Sequence, residues 1–436
     1  MPPSASPRSW ANAMGATETA SKAPGSVRVE SLIVAAAAGL MLPVSIFSPK
    51  AMAPIFIVAS LAALVGILRR GLSWPESLTA RLLGAGTAAF LLWSALSALW
   101  SITPERSLEI SLSNTGTVTG AILICLFTAG AGPLAIRRIG TAALAGIAIA
   151  AILIPVELST TAALNRLAHG NRLPIEQVSI FRNYLNGSSA VFVMMIWPVT
   201  AALGLTGRPK LAAGAGVALF VLSFSAAASV AALAALAGAG AGIIAAFRPR
   251  LYHLLFGAGV VVAALLMPLV TDILPKPVTS TTEMKVDPST NHRLRIWNFA
   301  TERIAERPLL GWGLDSSRAI PGGADLVPML HLREDGRQVT YSEQNLPLHP
   351  HNIFLQVWLE LGAVGALFAA AALLAVVREV ARTEGAVLRF SSAGALAAAI
   401  AFSGLSYSPW QSWWLCTMMF ALALLGAGRG APGHRP

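Results

Sequence analysis

The chain has 436 residues, of which 55% are hydrophobic and only 12% are charged. A soluble surface of this size needs about twice that charged fraction, so the composition indicates a protein embedded in a membrane. The net charge of +11 does not indicate nucleic-acid binding, because Lys and Arg are scattered in small groups between apolar runs. Both cysteines, Cys125 and Cys416, lie inside apolar runs, which argues against a metal or redox role.

The N-terminal 30 residues are rich in Ser, Pro and Ala and poor in large apolar side chains. This composition predicts a flexible cytoplasmic tail. The apolar run that follows, Leu32 to Phe47, lacks a small-residue cleavage site and leads at once into a second apolar run. It is therefore predicted to be a retained membrane span rather than a signal peptide.

Apolar runs close to the roughly 20 residues that cross a bilayer follow along the chain. They lie at 31–47, 51–68, 82–100, 116–132, 139–155, 187–206, 211–226, 229–247, 252–270, 353–377, 390–406 and 411–427. One boundary has two interpretations: Ser223 to Ser229 is either a tight turn between two short spans or the middle of one long tilted helix.

The distribution of Lys and Arg predicts the orientation, because these residues remain on the cytoplasmic side of short loops. With the N-terminus inside, 17 of the 31 Lys and Arg fall in inside segments, and only Lys50 and Arg106 fall in short outside loops. The other 12 lie in two long loops, 156–186 and 271–352, and long loops are largely exempt from the rule. Twelve spans with both termini inside fit this pattern, whereas eleven spans place short basic loops on the wrong side.

The predicted fold is therefore an all-α polytopic membrane protein set in a bacterial inner membrane. Its parts are a cytoplasmic tail (1–30), spans one to nine (31–270), a large periplasmic loop with short helices (271–352), spans ten to twelve (353–427) and a cytoplasmic tail (428–436).

The large loop contains a predicted helix that starts at Pro288 and is ended by Pro308. On a helical wheel Arg293 falls in the middle of an apolar stripe formed by Leu294, Trp297, Ala300 and Ile304. A cation on such a face lies at the lipid headgroup boundary or points into a binding site. Arg295 points the other way, and we expect it on a solvated face beside Glu302 and Glu306.

The loop ends with LPLHPHN, which leads into the tenth span with Asn352 as a predicted helix cap. Asn352, Gln356 and Glu360 recur at every fourth residue, so they share one face of a membrane helix. Such a polar stripe either lines a functional cavity or makes interhelical hydrogen bonds, and the sequence leaves both possibilities open. His351 meets the outside surface beside this stripe, next to His349, and imidazole moves protons near neutral pH.

The other long loop carries Arg166, Arg172 and Arg182 just before the sixth span. Arginines that converge at a membrane surface suit a diphosphate, although general attraction to anionic lipid is the alternative. The sequence has no GKS or GKT phosphate loop and no DxD acidic pair in the outside loops. The remaining candidate is an arginine-and-histidine site without a metal or other cofactor.

Three motifs in this region resemble the O-antigen ligase and O-antigen polymerase family of bacterial polysaccharide assembly. They are RLxIW at 293–297, PLLGWG at 308–313 and HPHNxxLQxxLELGxxG at 349–365. The resemblance implies a metal-independent, inverting glycosyltransferase that takes a glycan from undecaprenyl diphosphate at the periplasmic face.

Carried over by motif, the resemblance assigns Arg293 to the first arginine of RLxIW and His351 to the histidine before Asn352. A further family arginine, which precedes a central span, corresponds to Arg182. The surrounding sequence FRNYLNG differs from the FNR-like motif expected there, so Arg172 is an alternative. Arg182 and Arg293 are expected to neutralise the diphosphate, and His351 to activate the acceptor hydroxyl. The neighbouring residues predicted to bind substrate are Arg172, Arg295, Trp297, His349, Asn352, Gln356 and Glu360.

The resemblance implies either lipid A core or another lipid-linked glycan as acceptor, and ligation to lipid A core is favoured over O-antigen or exopolysaccharide polymerisation. Family members that glycosylate protein commonly have a long C-terminal extension, whereas this sequence stops soon after its last apolar run. A secondary transporter with twelve spans is the alternative from another class. The ionisable residues concentrate in the outside loops rather than near the membrane midplane, which argues against a transporter.

Overall fold

The computed structural model describes residues 29–70, 78–130, 132–170, 172, 177–226, 230–270, 273–274, 288–332 and 338–430. The predicted N-terminal tail, apart from its last two residues, lies outside the described residues, and so does most of the predicted C-terminal tail.

The described residues form helices and one β-hairpin. The helices are α1 (Val29–Phe47), α2 (Met52–Arg70), α3 (Leu78–Leu96), α4 (Pro104–Ala129), α5 (Gly132–Ser159), α6 (Ala163–Ala168), α7 (Val178–Tyr184), α8 (Asn186–Leu205), α9 (Pro209–Ser223), α10 (Val230–Phe247), α11 (Pro249–Val270), α12 (Pro288–Glu306), α13 (Ile353–Arg382), α14 (Ala386–Leu405) and α15 (Ser412–Leu424). The strands are β1 (Leu326–Leu332) and β2 (Gln338–Gln344).

Among the described residues, nine helices are long and apolar enough to cross a membrane. Shorter apolar helices occur at Leu83–Leu99, Pro209–Ser223 and Ser412–Gly428. All of these segments overlap the predicted apolar runs, which confirms a polytopic helical membrane protein. The number of spans and their orientation stay predictions, because length and apolarity do not fix how a helix lies in a bilayer.

One helix boundary differs from its prediction, and another decides between the two interpretations of Ser223 to Ser229. Helix α4 begins at Pro104, well before the predicted run at 116–132, because Pro104 suits a first helical turn and the polar residues after it find buried partners. Helix α9 ends at Ser223 and α10 begins at Val230. One continuous helix through this region is therefore excluded.

The core of the bundle surrounds α8, whose side chains are mostly buried. Trp197 of this helix lies between two glycines of neighbouring helices. A Cβ on Gly238 of α10 or on Gly394 of α14 would lie 2.3 or 2.2 Å from its indole ring. Small residues therefore let α8, α10 and α14 approach closely, as is common between membrane helices.

Helix α13 is broken in its N-terminal half at Gly362, which has φ 66° and ψ −168°. The PLLGWG segment crosses this break and binds its free backbone groups. Trp312 N donates to Leu359 O at 3.0 Å, and Ala363 N donates to Pro308 O at 2.8 Å. The break therefore attaches the large loop to the membrane helix through backbone hydrogen bonds.

We expect Gly362→Ala to destabilise the protein by roughly 2–3 kcal/mol or more, because it combines a left-handed backbone with a steric clash. A Cβ at this position would lie 2.2 Å from Leu309 O. Gly214→Ala in α9 is the matched control, since its Cβ would meet no atom within 4 Å, and it should leave thermal unfolding in detergent unchanged or slightly raised. Equal unfolding temperatures for the two variants would contradict this account.

The large loop contains a hairpin that was not predicted. Strands β1 and β2 pair antiparallel, with Leu326 opposite Gln344 and Leu332 opposite Gln338. Pro328 lies inside β1 and removes one backbone donor, which a two-stranded ribbon tolerates because one edge of each strand is unpaired. Within the described part of the loop, the helical segments are α12 and a 3-10 turn at Ser317–Ala319.

Candidate active site

Helix α12 begins at Pro288 and ends at Glu306, so both predicted ends are confirmed within two residues. Its buried side chains include Ile296, Ala300 and Ile304, which pack in one apolar cluster with Leu355 and Leu359 of α13. Burial of this face removes apolar surface from water and fixes α12 against the N-terminal end of α13.

Two polar contacts at the N-terminal half of α12 fix its position relative to the rest of the loop. The indole Nε1 of Trp297 donates to Pro350 O at 2.8 Å. His292 Nε2 lies 3.1 Å from Gln344 O, and because a carbonyl only accepts, Nε2 carries the proton. Trp297 therefore connects α12 directly to the HPHN segment.

The predicted environment of Arg295 is wrong. Its guanidinium is half-buried and Nε donates to Asn345 Oδ1 at 3.2 Å. Glu306 instead pairs with Arg303 at 2.7 Å. The helical wheel places Arg295 on a solvated face, but the chain that follows β2 folds over that face and covers it.

His351 has a left-handed backbone conformation, with φ 53°. Its Nδ1 lies 2.7 Å from the backbone oxygen of Ser406, at the end of α14. Because that oxygen only accepts, Nδ1 carries the proton and Nε2 keeps an unshared electron pair. The hydrogen bond thus fixes the tautomer in which Nε2 can accept a proton.

His349 is 4% exposed and acts as an acceptor for the turn that holds His351. The backbone N–H of His351 donates to His349 Nδ1 at 3.1 Å, and the two rings are 4.3 Å apart between centroids. Burial, together with the charges of His351 and Arg318, lowers the pKa of His349 to about 3. The acceptor nitrogen therefore stays unprotonated at neutral pH.

The pKa of His351 is lowered as well. Burial is the largest cause, and the positive charges of Arg293 and His292 act in the same direction, while the hydrogen bond to Ser406 opposes them. The structure therefore places Arg293 within electrostatic reach of His351. A neutral imidazole beside a guanidinium can accept a proton while the cation binds an anion.

We expect His349→Asn to retain most activity and His349→Leu to lose about tenfold or more. An Asn side chain accepts a hydrogen bond from the backbone N–H two residues later, as His349 Nδ1 does here. Leu fills the buried space but leaves the His351 N–H without a partner and releases the turn. Initial rates of glycan transfer measure the effect, and equal rates for Asn and Leu would rule out the acceptor role.

The predicted cap at the start of α13 is confirmed. Asn352 Oδ1 accepts hydrogen bonds from Phe354 N at 3.0 Å and Leu355 N at 3.2 Å. One helical turn later Gln356 is buried, and its Nε2 donates to Ser408 Oγ at 2.9 Å. The polar face of α13 therefore points toward other helices and the turn between α14 and α15.

Glu360 is 0% exposed, and its carboxylate binds groups of the chain itself. Oε1 accepts from Ser317 Oγ at 2.5 Å and from Gln356 Nε2 at 3.0 Å. Oε2 accepts from Asp315 N at 2.7 Å and from Trp410 Nε1 at 2.6 Å. Of the two possibilities for the polar stripe, these contacts correspond to internal hydrogen bonding.

Arg182 belongs to α7, and its side chain reaches the C-terminal end of α9. Its Nε donates to Ser225 O and its Nη2 donates to Phe224 O, both at 3.2 Å. The side chain of Arg172 is exposed, and its backbone N–H donates to His169 O. None of the contacts described for these arginines joins either of them to His351 or Arg293.

Sequence reasoning missed residues that complete the site. Asp315 has φ 54° and pairs with Arg106 at 2.8 Å. Burial raises the pKa of Asp315, and the hydrogen bond from Arg106 opposes that rise. Trp410 comes from the turn between α14 and α15. Asp315 and Glu360 are far apart in sequence, so no pattern in the sequence predicts that they lie close together.

Among the described residues no group of three or more His, Cys, Asp and Glu side chains is arranged to hold a metal ion. An apolar cavity of about 250 Å³ lies between α13, α14 and α15. Its lining includes Ile353 and Phe354, which directly follow the HPHN segment, and extends along α13 as far as Val376. Polar site and apolar cavity therefore adjoin.

Comparison with known proteins supports the resemblance that the three motifs indicate. Residues 211–370 match the family model described as O-antigen ligase. Proteins of Rickettsia conorii and Rickettsia prowazekii, each named "Putative polysaccharide ligase", are 28% identical to the chain over 186 residues. Each match covers 42% of this chain and 43% of the relative, so the chain aligns with less than half the length of these relatives.

The matched region contains the three motifs, with Arg293 and His351, whereas Arg172 and Arg182 lie before it. The match over residues 211–370 thus supports the resemblance to the O-antigen ligase family, on the part of the chain that carries the three motifs.

Proposed function

We propose that the protein is a membrane glycosyltransferase that moves a glycan from an undecaprenyl diphosphate carrier to an acceptor hydroxyl, with ligation to lipid A core as its reaction. The observation that carries this proposal is the geometry of His351, whose Nδ1 donates to Ser406 O and whose Nε2 is left as a proton acceptor. The lowered pKa keeps that ring neutral, and the charge of Arg293 lies nearby.

In the proposed reaction, Nε2 of His351 accepts the proton of the acceptor hydroxyl as its oxygen attacks the anomeric carbon of the glycan. The bond from this carbon to the diphosphate oxygen breaks, and its electron pair leaves with the diphosphate. Arg293 stabilises the negative charge that grows on this leaving group. A single displacement of this kind inverts the anomeric configuration, and no step uses a metal.

The second arginine of the proposed site is Arg182, with Arg172 as the alternative. Arg182 Nε and Nη2 donate to the carbonyls of Ser225 and Phe224. A guanidinium has five N–H donors, so its remaining N–H groups can bind phosphate oxygens, which are stronger partners than carbonyls.

The buried polar residues are proposed to position the site. Asn352, Gln356 and Glu360 hold the start of α13, the PLLGWG segment and the turn before α15 in one arrangement. Trp297 and His349 keep the HPHN segment in place. Arg295 supports the segment after β2 through Asn345.

The setting of the proposed reaction is a bacterial inner membrane, with the site facing the periplasm. The apolar cavity beside HPHN supports a lipid-linked donor, because a polyprenyl carrier must keep its chain in apolar surroundings while its diphosphate lies at the surface. The relatives named as polysaccharide ligases support the choice of a glycan substrate.

The test is an in vitro transfer assay without added metal and with a chelator present, using undecaprenyl-diphosphate-linked glycan as donor and lipid A core as acceptor. Glycan transfer to lipid A core would support the ligase reaction. Lengthening of the glycan on its lipid carrier would instead identify the protein as a polymerase. Absence of turnover with a panel of donors would contradict both, and uptake by proteoliposomes would then test the transporter.

A further inference from the structure

Arg318 is an exposed arginine on a short 3-10 turn, Ser317–Ala319, whose backbone is firmly held. Ser316 and Ser317 are buried on one side of it. Ser317 Oγ donates to Glu360 Oε1 at 2.5 Å, and Ala319 N donates to Ser316 O at 2.9 Å. The base of the side chain is therefore fixed while the guanidinium faces outward.

The segment after this turn leads back to the histidines. Leu346 N donates to Gly323 O at 2.9 Å, and Asn345 Nδ2 donates to Gly322 O at 3.1 Å. The chain from the turn is thus tied to the strand that enters HPHN. The charge of Arg318 contributes to the lowered pKa of His349, as that of Arg293 does for His351.

Other arginines near this site have partners within the chain. Arg106 pairs with Asp315 and Glu109, Arg303 pairs with Glu306, and Arg307 lies over the Trp312 ring at 4.1 Å. Among the described residues, the guanidinium of Arg318 forms neither an ion pair nor a hydrogen bond, although its charge acts on Asp315 and opposes the rise in the pKa of that carboxyl group. Asp315 is already paired with Arg106, so the N–H groups of Arg318 stay available at the rim of the site.

We infer that Arg318 binds a phosphate-type oxyanion of a substrate, so that its guanidinium and that of Arg293 flank the two histidines. A guanidinium binds phosphate oxygens through two parallel hydrogen bonds. A backbone that is already ordered reduces the entropy lost on binding. The inference rests on the proposed function and names two sources of the oxyanion, the donor diphosphate or a phosphate group on the acceptor.

Steady-state kinetics of Arg318→Gln, Arg318→Lys and Lys50→Gln test the inference. Lys50 is exposed on the same predicted face, so Lys50→Gln controls for the loss of one positive charge. We expect Arg318→Gln to raise one KM about tenfold with a smaller change in kcat, and Arg318→Lys to recover part of the loss. A raised KM for the donor would identify the bound oxyanion as the donor diphosphate. A raised KM for the acceptor would identify it as a phosphate group on the acceptor. Constants equal to those of Lys50→Gln would overturn the inference.

A binding measurement separates failure of this inference from failure of the proposed function. Geranylgeranyl diphosphate and inorganic pyrophosphate are titrated against detergent-solubilised wild type and variants, with geranylgeraniol as the uncharged control. If the wild type shows no turnover, the proposed function fails. Even then, weaker diphosphate binding by Arg318→Gln than by Lys50→Gln would support an oxyanion site at Arg318. Equal binding by the two variants would contradict such a site.

Discussion

Replacing His351 with Asn is expected to lower kcat by about 10²–10⁴-fold, the usual contribution of a positioned general base. Asn is chosen because it tolerates the left-handed backbone that His351 adopts at φ 53°. Its amide lacks a group that accepts a proton near neutral pH. Loss of activity in this variant therefore reports on the chemistry of the ring and not on the backbone.

The control for His351→Asn is thermal unfolding in detergent, which should match that of the wild type within a few degrees. His351→Ala is a poorer test, because Ala in a left-handed conformation adds backbone strain. A folded His351→Asn variant with a kcat near that of the wild type would eliminate the ring as the base.

The same ring predicts the pH dependence of transfer. Because the pKa of His351 lies below its ordinary value of 6.5, the neutral form persists as the pH falls through 6.5. The pKa of His349, at about 3, keeps the supporting acceptor unprotonated over the same range. We therefore expect kcat at pH 6.5 to stay close to its value at pH 7.5 and to decline only at lower pH. An acid limb centred at or above 6.5 would contradict a lowered pKa.

Replacing Glu360 with Ala is expected to destabilise the protein by roughly 3–5 kcal/mol, because buried donors lose their acceptor. These donors are Asp315 N, Ser317 Oγ, Gln356 Nε2 and Trp410 Nε1. Glu360→Gln keeps the shape of the side chain but presents an N–H₂ group where an oxygen now accepts two hydrogen bonds. It should therefore also destabilise the protein, by less than Ala does.

The measurement for Glu360 is the unfolding temperature in detergent, with Glu302→Gln as the matched control on the exposed face of α12. A structural role predicts that activity falls together with folding and that the residual folded fraction retains an unchanged KM. A stable Glu360→Gln variant with a changed donor KM would instead return Glu360 to the substrate-binding residues.

Local features could be predicted from the sequence because they depend on neighbours along the chain. Apolar runs of bilayer length gave the positions of the membrane helices. Proline at a first turn gave the start of α12, and an Asn side chain gave the cap of α13. Helical periodicity likewise predicted that Arg293 shares the face of α12 that carries Ala300 and Ile304.

The partners of the site residues were decided by tertiary structure. Arg295 is covered by the segment after β2, Glu360 receives donors from three separate parts of the chain, and Ser406 fixes the tautomer of His351. These contacts join residues far apart in sequence. Periodicity can place a side chain on a face of a helix, but only the folded chain determines which groups pack against that face and satisfy its hydrogen bonds.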